Sequence, residues 1–144
     1  MKLLIINGPN LNFLGIREKG IYGSVSYEDL VNRLKEKAEM DGVELEVFQH
    51  NGEGAIIDRI QQAYYDKTDG IIINPGAYAH YSIAIRDALA SLEIPKIEVH
   101  ISNVYKREEF RHTSVITPVC TGEILGLGLQ GYVLAMDAMK EYCK

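Results

Sequence analysis

The fold of this chain is decided by the segment LLIINGPN, residues 3–10, in which a short apolar run ends in a cluster of polar residues. The same pattern recurs in LEVFQHN at 45–51, IIINPG at 71–76 and IEVHISN at 97–103. Short apolar runs that alternate with helical patterns predict buried parallel strands. Because ligands of open α/β sheets bind beyond the carboxyl ends of the strands, we expect these polar clusters to meet at one functional edge.

Helical patterns lie between these runs and after them. Ser26 is suited to cap a helix, which Asp41-Gly42 would end. The other predicted elements, in chain order, are helices at 54–65 and 82–92, a strand at 96–99, a helical turn at 106–110, a strand at 115–117 and a final helix at 123–142. Right-handed crossovers then favour a flavodoxin-like, doubly wound α/β fold. We predict five parallel strands in the order 2-1-3-4-5 and a single domain over residues 1–144.

The composition excludes several classes of protein. The chain has 144 residues and a net charge of -5, which argues against general nucleic-acid binding, because that function normally requires a basic face. It has no apolar stretch long enough to cross a bilayer and no signal-peptide pattern, so a cytoplasmic location is expected. Cys120 and Cys143 form no C-x-x-C pair, and the four histidines show no metal-ligand spacing. We therefore expect neither a disulfide framework nor a metal site.

A long connection without periodicity, residues 7–25, follows the first strand. Connections of this length in compact domains are usually lids or binding loops. Because Gly15, Gly20 and Gly23 would supply hinges, we predict a lid at about residues 15–25.

Arg17 and Tyr22 are the candidate chemical groups of this lid. A phenol is a weak base at neutral pH because its reference pKa is about 10, and a nearby guanidinium favours the phenolate. Arg17 is also suited to stabilise an oxyanion, since arginine stays cationic. The alternative is a solvated arginine and a tyrosine that packs the loop, and the spacing alone does not exclude it.

His100 follows the fourth buried run directly, a position suited to a general acid or base. Glu98, two residues earlier, lies on the same strand face and is placed to orient an imidazole. Ile101 and Ser102 offer backbone N–H groups and a hydroxyl to a carboxylate or hydroxyl group. The alternative is a histidine that bonds local backbone groups, followed by an ordinary turn.

Further polar residues are expected at the same edge. Asn74 donates and accepts in fixed directions, or it simply forms the Asn-Pro-Gly turn. His80 precedes a helix N-terminus, where anions are favoured, and Asp87 follows about two helical turns later, as a ligand group or a surface charge. Arg111 is either an anion clamp or a solvated charge of the run 107–111. The remaining polar residues of this edge are His50, Asn51 and Glu53.

The predicted edge is locally positive on an acidic chain, and Asn10, Asn74 and Ser102 add directional hydrogen bonds. A small, anionic, hydroxyl-rich ligand is therefore expected. A nucleotide- or flavin-binding module is disfavoured, because there is no G-x-x-x-x-G-K-[ST] motif and Pro9 removes an N–H from the first loop. A receiver-like signalling domain would need an acidic cluster where this edge carries amides and histidines.

The order of these motifs resembles that of type II 3-dehydroquinate dehydratases over nearly the whole chain. The resemblance is carried by motifs at the strand ends and in the lid, namely Ile6-Asn7-Gly8-Pro9-Asn10-Leu11, Arg17 through Tyr22-Gly23, Asn51 with Glu53-Gly54, Asn74-Pro75-Gly76-Ala77-Tyr78 with His80, Glu98-Val99-His100-Ile101-Ser102-Asn103, Arg107-Glu108-Glu109-Phe110-Arg111, and Gly126-Leu127-Gly128 with Gly131-Tyr132. Several motifs in the right order are far more specific than any one of them.

The resemblance implies that 3-dehydroquinate is dehydrated to 3-dehydroshikimate in the shikimate pathway, by anti elimination through an enolate. It assigns Tyr22 as the base, held as a phenolate by Arg17, and His100 as the general acid, oriented by Glu98. Asn10 would help to polarise the ketone through a bound water. The implied substrate-binding residues are Asn74, His80, Asp87, Ile101, Ser102 and Arg111.

The resemblance also implies a homododecamer built from trimers, in which Asp87 reaches the site of a neighbouring subunit. An unrelated class of dehydroquinases uses a lysine Schiff base. Here Lys2 and Lys96 lie at the starts of strands, at the wrong edge of the sheet for that chemistry. We therefore expect an enolate route that needs no Schiff base, metal or cofactor.

Overall fold

The computed structural model describes residues 1–143, which form a five-stranded parallel sheet with helices on both faces. In the order in which they pair, the strands are β2 (Glu44–Gln49), β1 (Lys2–Asn7), β3 (Gly70–Asn74), β4 (Lys96–His100) and β5 (Gly122–Leu125). The helices are α1 (Lys19–Tyr22), α2 (Tyr27–Asp41), α3 (Glu53–Tyr65), α4 (Ile83–Ala90) and α5 (Gln130–Tyr142). The predicted α/β fold and its strand order are confirmed.

The central strand β1 shows why the faces of the sheet are unavailable to a ligand. Leu3 and Ile5 point into a core layer shared with α2 and α5, whereas Leu4 and Ile6 point into a second layer shared with α3 and α4. Each of these four side chains is at most 1% exposed. Because both faces are covered by helices, the ends of the strands remain as the place for a site.

The helix after the lid begins as predicted. The hydroxyl of Ser26 accepts a hydrogen bond from the backbone N–H of Asp29 at 3.0 Å, and the Asp29 carboxylate accepts one from the N–H of Ser26 at 3.1 Å. This capping box fixes the point at which the lid joins α2. Gly42 ends the helix in the left-handed conformation, with φ of 66°.

The predictions for the fifth strand and for the start of the final helix are wrong. Residues 115–117 do not form the fifth strand, because the chain there enters a 3₁₀ turn at Thr117–Val119. The fifth strand is Gly122–Leu125, and the final helix begins at Gln130 rather than at residue 123. Backbone pairing with β4, which the local sequence does not reveal, selects the strand conformation.

The boundary between β5 and α5 has a local cause. Gly126 and Gly128 adopt φ of 83° and 60°, a left-handed conformation that a helix does not contain.

The helical turn predicted at 106–110 consists of two 3₁₀ turns instead, Val104–Lys106 and Glu109–Arg111.

Gly8 joins the ends of β1 and β3. Its N–H donates to the carbonyl of Asn74 at 2.8 Å, and a Cβ at this position would lie 2.5 Å from the carbonyl oxygen of Pro75. Only glycine permits this approach, so it brings the two polar loops side by side.

Within residues 1–143, none of the helices combines the length and the apolar character that crossing a bilayer requires.

Candidate active site

A cavity of about 120 Å³ lies at the carboxyl ends of the strands, where the sequence predicts the functional edge. It is bounded by the loop after β1, the lid, the loop after β3 and the chain that follows β4. The predicted site residues that line it are Asn10, Arg17, Tyr22, Asn74, His80, His100, Ile101, Ser102 and Arg111. The predicted residues Glu98 and Asp87 lie outside this lining.

Tyr22 is the last residue of α1, a single helical turn in the lid. The turn starts after Glu18, which has φ of 44°, and stops at Gly23, which has φ of 79°. The Tyr22 hydroxyl accepts a hydrogen bond from Nη1 of Arg107 at 2.7 Å. The guanidinium carbon of Arg17 lies 4.9 Å from the centre of the Tyr22 ring. The phenol therefore lies between two cations, one at its oxygen and one at its ring.

Arg107 is the functional residue that sequence reasoning missed. Its Nη1 also lies 3.3 Å from the hydroxyl of Ser102, and its side chain is only 10% exposed. In the sequence Arg107 lies in the charged run 107–111, and such a run is typical of a solvated turn rather than of a binding site. In the structure Arg107 contacts the phenol oxygen, whereas Arg17 contacts the ring and pairs with Glu18 at 2.7 Å.

His100 stands at the end of β4 and is held from behind by Glu98. Nε2 of His100 donates to the Glu98 carboxylate, which is fully buried. The hydroxyls of Ser114 and Thr117 donate to the other Glu98 oxygen at 2.8 and 2.9 Å. Burial opposes ionisation of Glu98, but the hydrogen bond and charge of His100 and the further hydrogen bonds outweigh it and lower the pKa of Glu98. Because Nε2 is engaged, Nδ1 is the nitrogen left for the cavity.

Glu123 is a second carboxyl group near this histidine, and the sequence analysis did not include it. It pairs with Glu98 in the register of β4 and β5, and its Oε2 lies 3.9 Å from Nε2 of His100. Burial and the neighbouring Glu98 carboxyl both raise the pKa of Glu123. No local pattern marks Glu123, because its position beside Glu98 depends on the pairing of two strands.

His80 and Arg111 form one wall of the cavity. The His80 ring stacks at 6.3 Å on the His100 ring, and its Nδ1–H donates to the carbonyl of Thr113 at 2.9 Å. Burial lowers the pKa of His80, and the charges of His100 and Arg111 act in the same direction. His80 is therefore suited to act as a neutral ring with one fixed donor.

Asparagine amides form the floor of the cavity. Nδ2 of Asn74 donates to the Tyr132 hydroxyl at 2.9 Å, and that hydroxyl donates to Oδ1 of Asn7 at 2.6 Å. Asn10 adopts φ of 70°, and its N–H donates to Oδ1 of Asn51 at 3.0 Å. These bonds fix Asn10 and Asn74 before any ligand binds.

Several candidates lie elsewhere. Asp87 is exposed on α4, so in a single chain it does not reach the cavity. His50 accepts a hydrogen bond from the N–H of Gly52 at 2.8 Å, and Glu53 accepts one from Ser82. His50 thus stabilises the turn before α3, and Glu53 binds Ser82, the N-cap residue of α4; neither lines the cavity.

Glu98, His100 and Glu123 also form a group of possible metal ligands within residues 1–143, since their ligand atoms lie within 4.8 Å of one another. Both oxygens of Glu98 are already occupied, one by Nε2 of His100 and the other by two hydroxyls. A metal ion would have to break these hydrogen bonds. We therefore interpret the cluster as a hydrogen-bonded network around Glu98.

Comparison with known proteins agrees with this geometry. The model of the family "Dehydroquinase class II" matches residues 1–140. A 3-dehydroquinate dehydratase of Lachnoclostridium phytofermentans is 72% identical over 139 residues, or 96% of both chains. The crystal structure of a type II dehydroquinase from Butyrivibrio crossotus superposes with a TM-score of 0.96 at 64% identity, over 97% of both chains. A type II dehydroquinase from Propionibacterium acnes gives 0.93 at 48% identity, over 97% of this chain and 96% of the other. The chain belongs to the class II dehydroquinase family, the dehydratases of the shikimate pathway.

Proposed function

We propose that this protein is a cytoplasmic enzyme that converts 3-dehydroquinate to 3-dehydroshikimate and water by anti elimination through an enolate. The observation that carries the proposal is that Tyr22 and His100 line the same cavity. Each has its own partner, Arg107 for the phenol and Glu98 for the imidazole. Stepwise removal of one proton and donation of another require a base and an acid at the same substrate ring, each with a partner that adjusts its acidity.

The first step removes the proton on C2, next to the C3 ketone. Tyr22 is the base, and the phenolate is stabilised by the hydrogen bond from Arg107 and by the charge of Arg17 at its ring. The electron pair of the broken C–H bond moves onto the ketone oxygen to give the enolate. Asn10, which Asn51 holds at the cavity wall, polarises that oxygen through a bound water.

The second step expels the C1 hydroxyl. Nδ1–H of His100 donates its proton to the leaving oxygen, so that water departs as the enolate collapses and the ring double bond forms. Glu98 holds the ring in the required tautomer and stabilises the imidazolium before the transfer. One proton leaves the substrate at C2 and one is returned to the departing oxygen, so the elimination is balanced without a cofactor or a Schiff base.

The remaining lining residues bind the substrate. Its carboxylate fits the polar segment of Ile101 and Ser102, with Asn74 beside it, and its ring hydroxyls fit His80 and Arg111. The cations Arg107 and Arg111 of this cavity complement the charge of the substrate. The lid at about residues 15–25 closes over the ring, because Glu18 pairs with Arg17 at 2.7 Å and with Arg107 at 3.8 Å.

The test is to add 3-dehydroquinate to the purified, metal-free protein and to follow the absorbance of the enone product. We expect turnover that Tyr22→Phe abolishes, while that variant still binds the product. Borohydride is the control for the route, because it traps a Schiff base but not an enolate. Covalent capture of the substrate, or near-normal turnover by Tyr22→Phe, would contradict the mechanism.

For the assembly, we propose a homododecamer of trimers in which Asp87 completes the site of a neighbouring subunit. The exposure of Asp87 on α4 supports this arrangement, since its carboxylate is free to face another chain. Two inactive variants, Asp87→Asn and Tyr22→Phe, would be mixed after reversible dissociation. Recovered activity is expected, because some mixed interfaces combine an intact Tyr22 with an intact Asp87. Absence of recovery, or a monomer in sedimentation velocity, would overturn the proposal.

A further inference from the structure

We propose that Glu123 is a positioning residue for His100, which acts with Thr117 to hold Glu98 against the imidazole and supplies a second negative charge that stabilises the imidazolium. This inference rests on the proposed role of His100 as the general acid. It adds a second carboxyl group, from β5, to the pair that Glu98 and His100 form on β4.

The first observation is the hydrogen-bonding geometry around Thr117. Its hydroxyl lies 2.9 Å from Oε1 of Glu98 and 3.0 Å from Oε2 of Glu123. A hydroxyl carries one proton, so it donates to one carboxyl group at a time while it contacts both. Because Glu98 also binds His100, the shared hydroxyl couples the position of Glu98 to the carboxyl group of Glu123.

The second observation is the balance of charge around the His100 ring. Arg107 and Arg111 are cations that line the same cavity and oppose the imidazolium. His80 stacks on the ring from the turn after β3 and is suited to stay neutral. Glu98 on β4 and Glu123 on β5 are the carboxylates that face Nε2. Glu123 is therefore needed to offset cations that Glu98 alone would have to balance.

The third observation concerns access to solvent. His100 and Glu123 also line a second, more open depression, together with Tyr105, His112 and Pro118. Glu123 does not line the main cavity, and its side chain is 20% exposed. A partly exposed carboxyl group becomes an anion as the pH rises, so Glu123 is able to carry the negative charge that the proposal assigns to it.

The experiment compares the pH profile of kcat in the wild type and in Glu123→Gln, which keeps the shape of the side chain but removes its charge. Loss of the anion destabilises the imidazolium, so the alkaline limb of kcat is expected to move to lower pH by about half a unit to one unit. KM should not change, since Glu123 does not touch the main cavity. The matched control is Glu39→Gln, which makes the same change in net charge at an exposed position of α2.

A direct NMR titration of the His100 ring separates this inference from the proposed function. A lower titration midpoint in Glu123→Gln supports the inference, and an unchanged midpoint overturns it. A lower midpoint with an unmoved kinetic limb would support the role of Glu123 while refuting His100 as the acid. If Glu123→Gln fails to fold, Thr117→Ser and Thr117→Val are compared instead, because serine keeps the hydroxyl that links Glu98 and Glu123 and valine removes it. The inference expects kcat to fall only in Thr117→Val. Equal kcat in both variants would overturn it.

Discussion

The hydroxyl of Tyr22 accepts a 2.7 Å hydrogen bond from Nη1 of Arg107, a residue 85 positions further along the chain. This bond connects the lid to the segment that follows β4, and it closes the cavity between them. The same guanidinium lies 3.3 Å from the hydroxyl of Ser102. Arg107 therefore links the proposed base to the substrate-binding segment.

Replacing Arg107 with Met should weaken the base. The proposed base loses the cation that is hydrogen-bonded to its oxygen. We expect kcat at neutral pH to fall about a hundredfold, the usual effect of removing one such donor. Lys35→Met, an exposed change on α2, is the control for net charge. A kcat of Arg107→Met equal to that of the Lys35→Met control would exclude this role.

The stability of the protein should depend on pH through Glu98. Its pKa is lowered from the usual 4.5, so the folded state prefers the carboxylate. The stabilisation is complete above pH 4.5 and is lost as the pH falls through the lowered pKa. Urea unfolding should show Glu98→Gln less stable than the wild type at pH 7, and the difference should shrink in acid.

Glu123→Gln is the matched variant for that titration, because the pKa of Glu123 is shifted in the opposite direction. Because the pKa of Glu123 is higher in the folded state, its contribution to stability is fully present below pH 4.5. That contribution is lost as the pH rises through the pKa of the folded state. Glu123→Gln should therefore gain stability relative to the wild type toward pH 8. The same sign of pH dependence in both variants would contradict the assignment.

Gly8→Ala should disrupt the junction between β1 and β3. The new methyl would lie 2.5 Å from the carbonyl oxygen of Pro75, and such overpacking costs about 1–3 kcal/mol. Activity should fall too, since the displaced loops carry Asn10 and Asn74. Gly54→Ala is the control, because nothing lies within 4 Å of a Cβ there and alanine favours a helix. Urea midpoints measure both, and equal stability of the two variants would exclude the steric argument.

Tyr132→Phe should loosen the floor of the cavity. The hydroxyl of the buried Tyr132 connects Asn7 and Asn74, and its removal leaves Oδ1 of Asn7 and Nδ2 of Asn74 without this partner, at a cost of about 1–3 kcal/mol. KM should rise because Asn74 loses its fixed orientation. Tyr142→Phe, on the exposed side of the same helix, should change neither stability nor KM. An unaltered KM in Tyr132→Phe would show that Asn74 is oriented by other contacts.

Much of the candidate site was predictable because its residues directly follow buried runs. Asn74 and His100 close two apolar strands, and a parallel sheet brings such ends to one edge. The capping box of Ser26 was predictable for the same reason, since its partners lie within one helical turn. The strand expected at 115–117 was wrong because the choice among short apolar segments depends on pairing with β4.

The sequence by itself determined the α/β fold, the order of the strands and the edge that carries the chemistry, since these follow from local periodicity and from the polar residues at strand ends. The tertiary structure alone decided that Arg107 meets Tyr22 and that Glu123 lies beside Glu98 and His100. The first contact requires the lid to fold back on a segment far away in the chain, and the second requires one particular register between β4 and β5. Contacts of this kind arise from the packing of distant segments, and no short stretch of sequence encodes them.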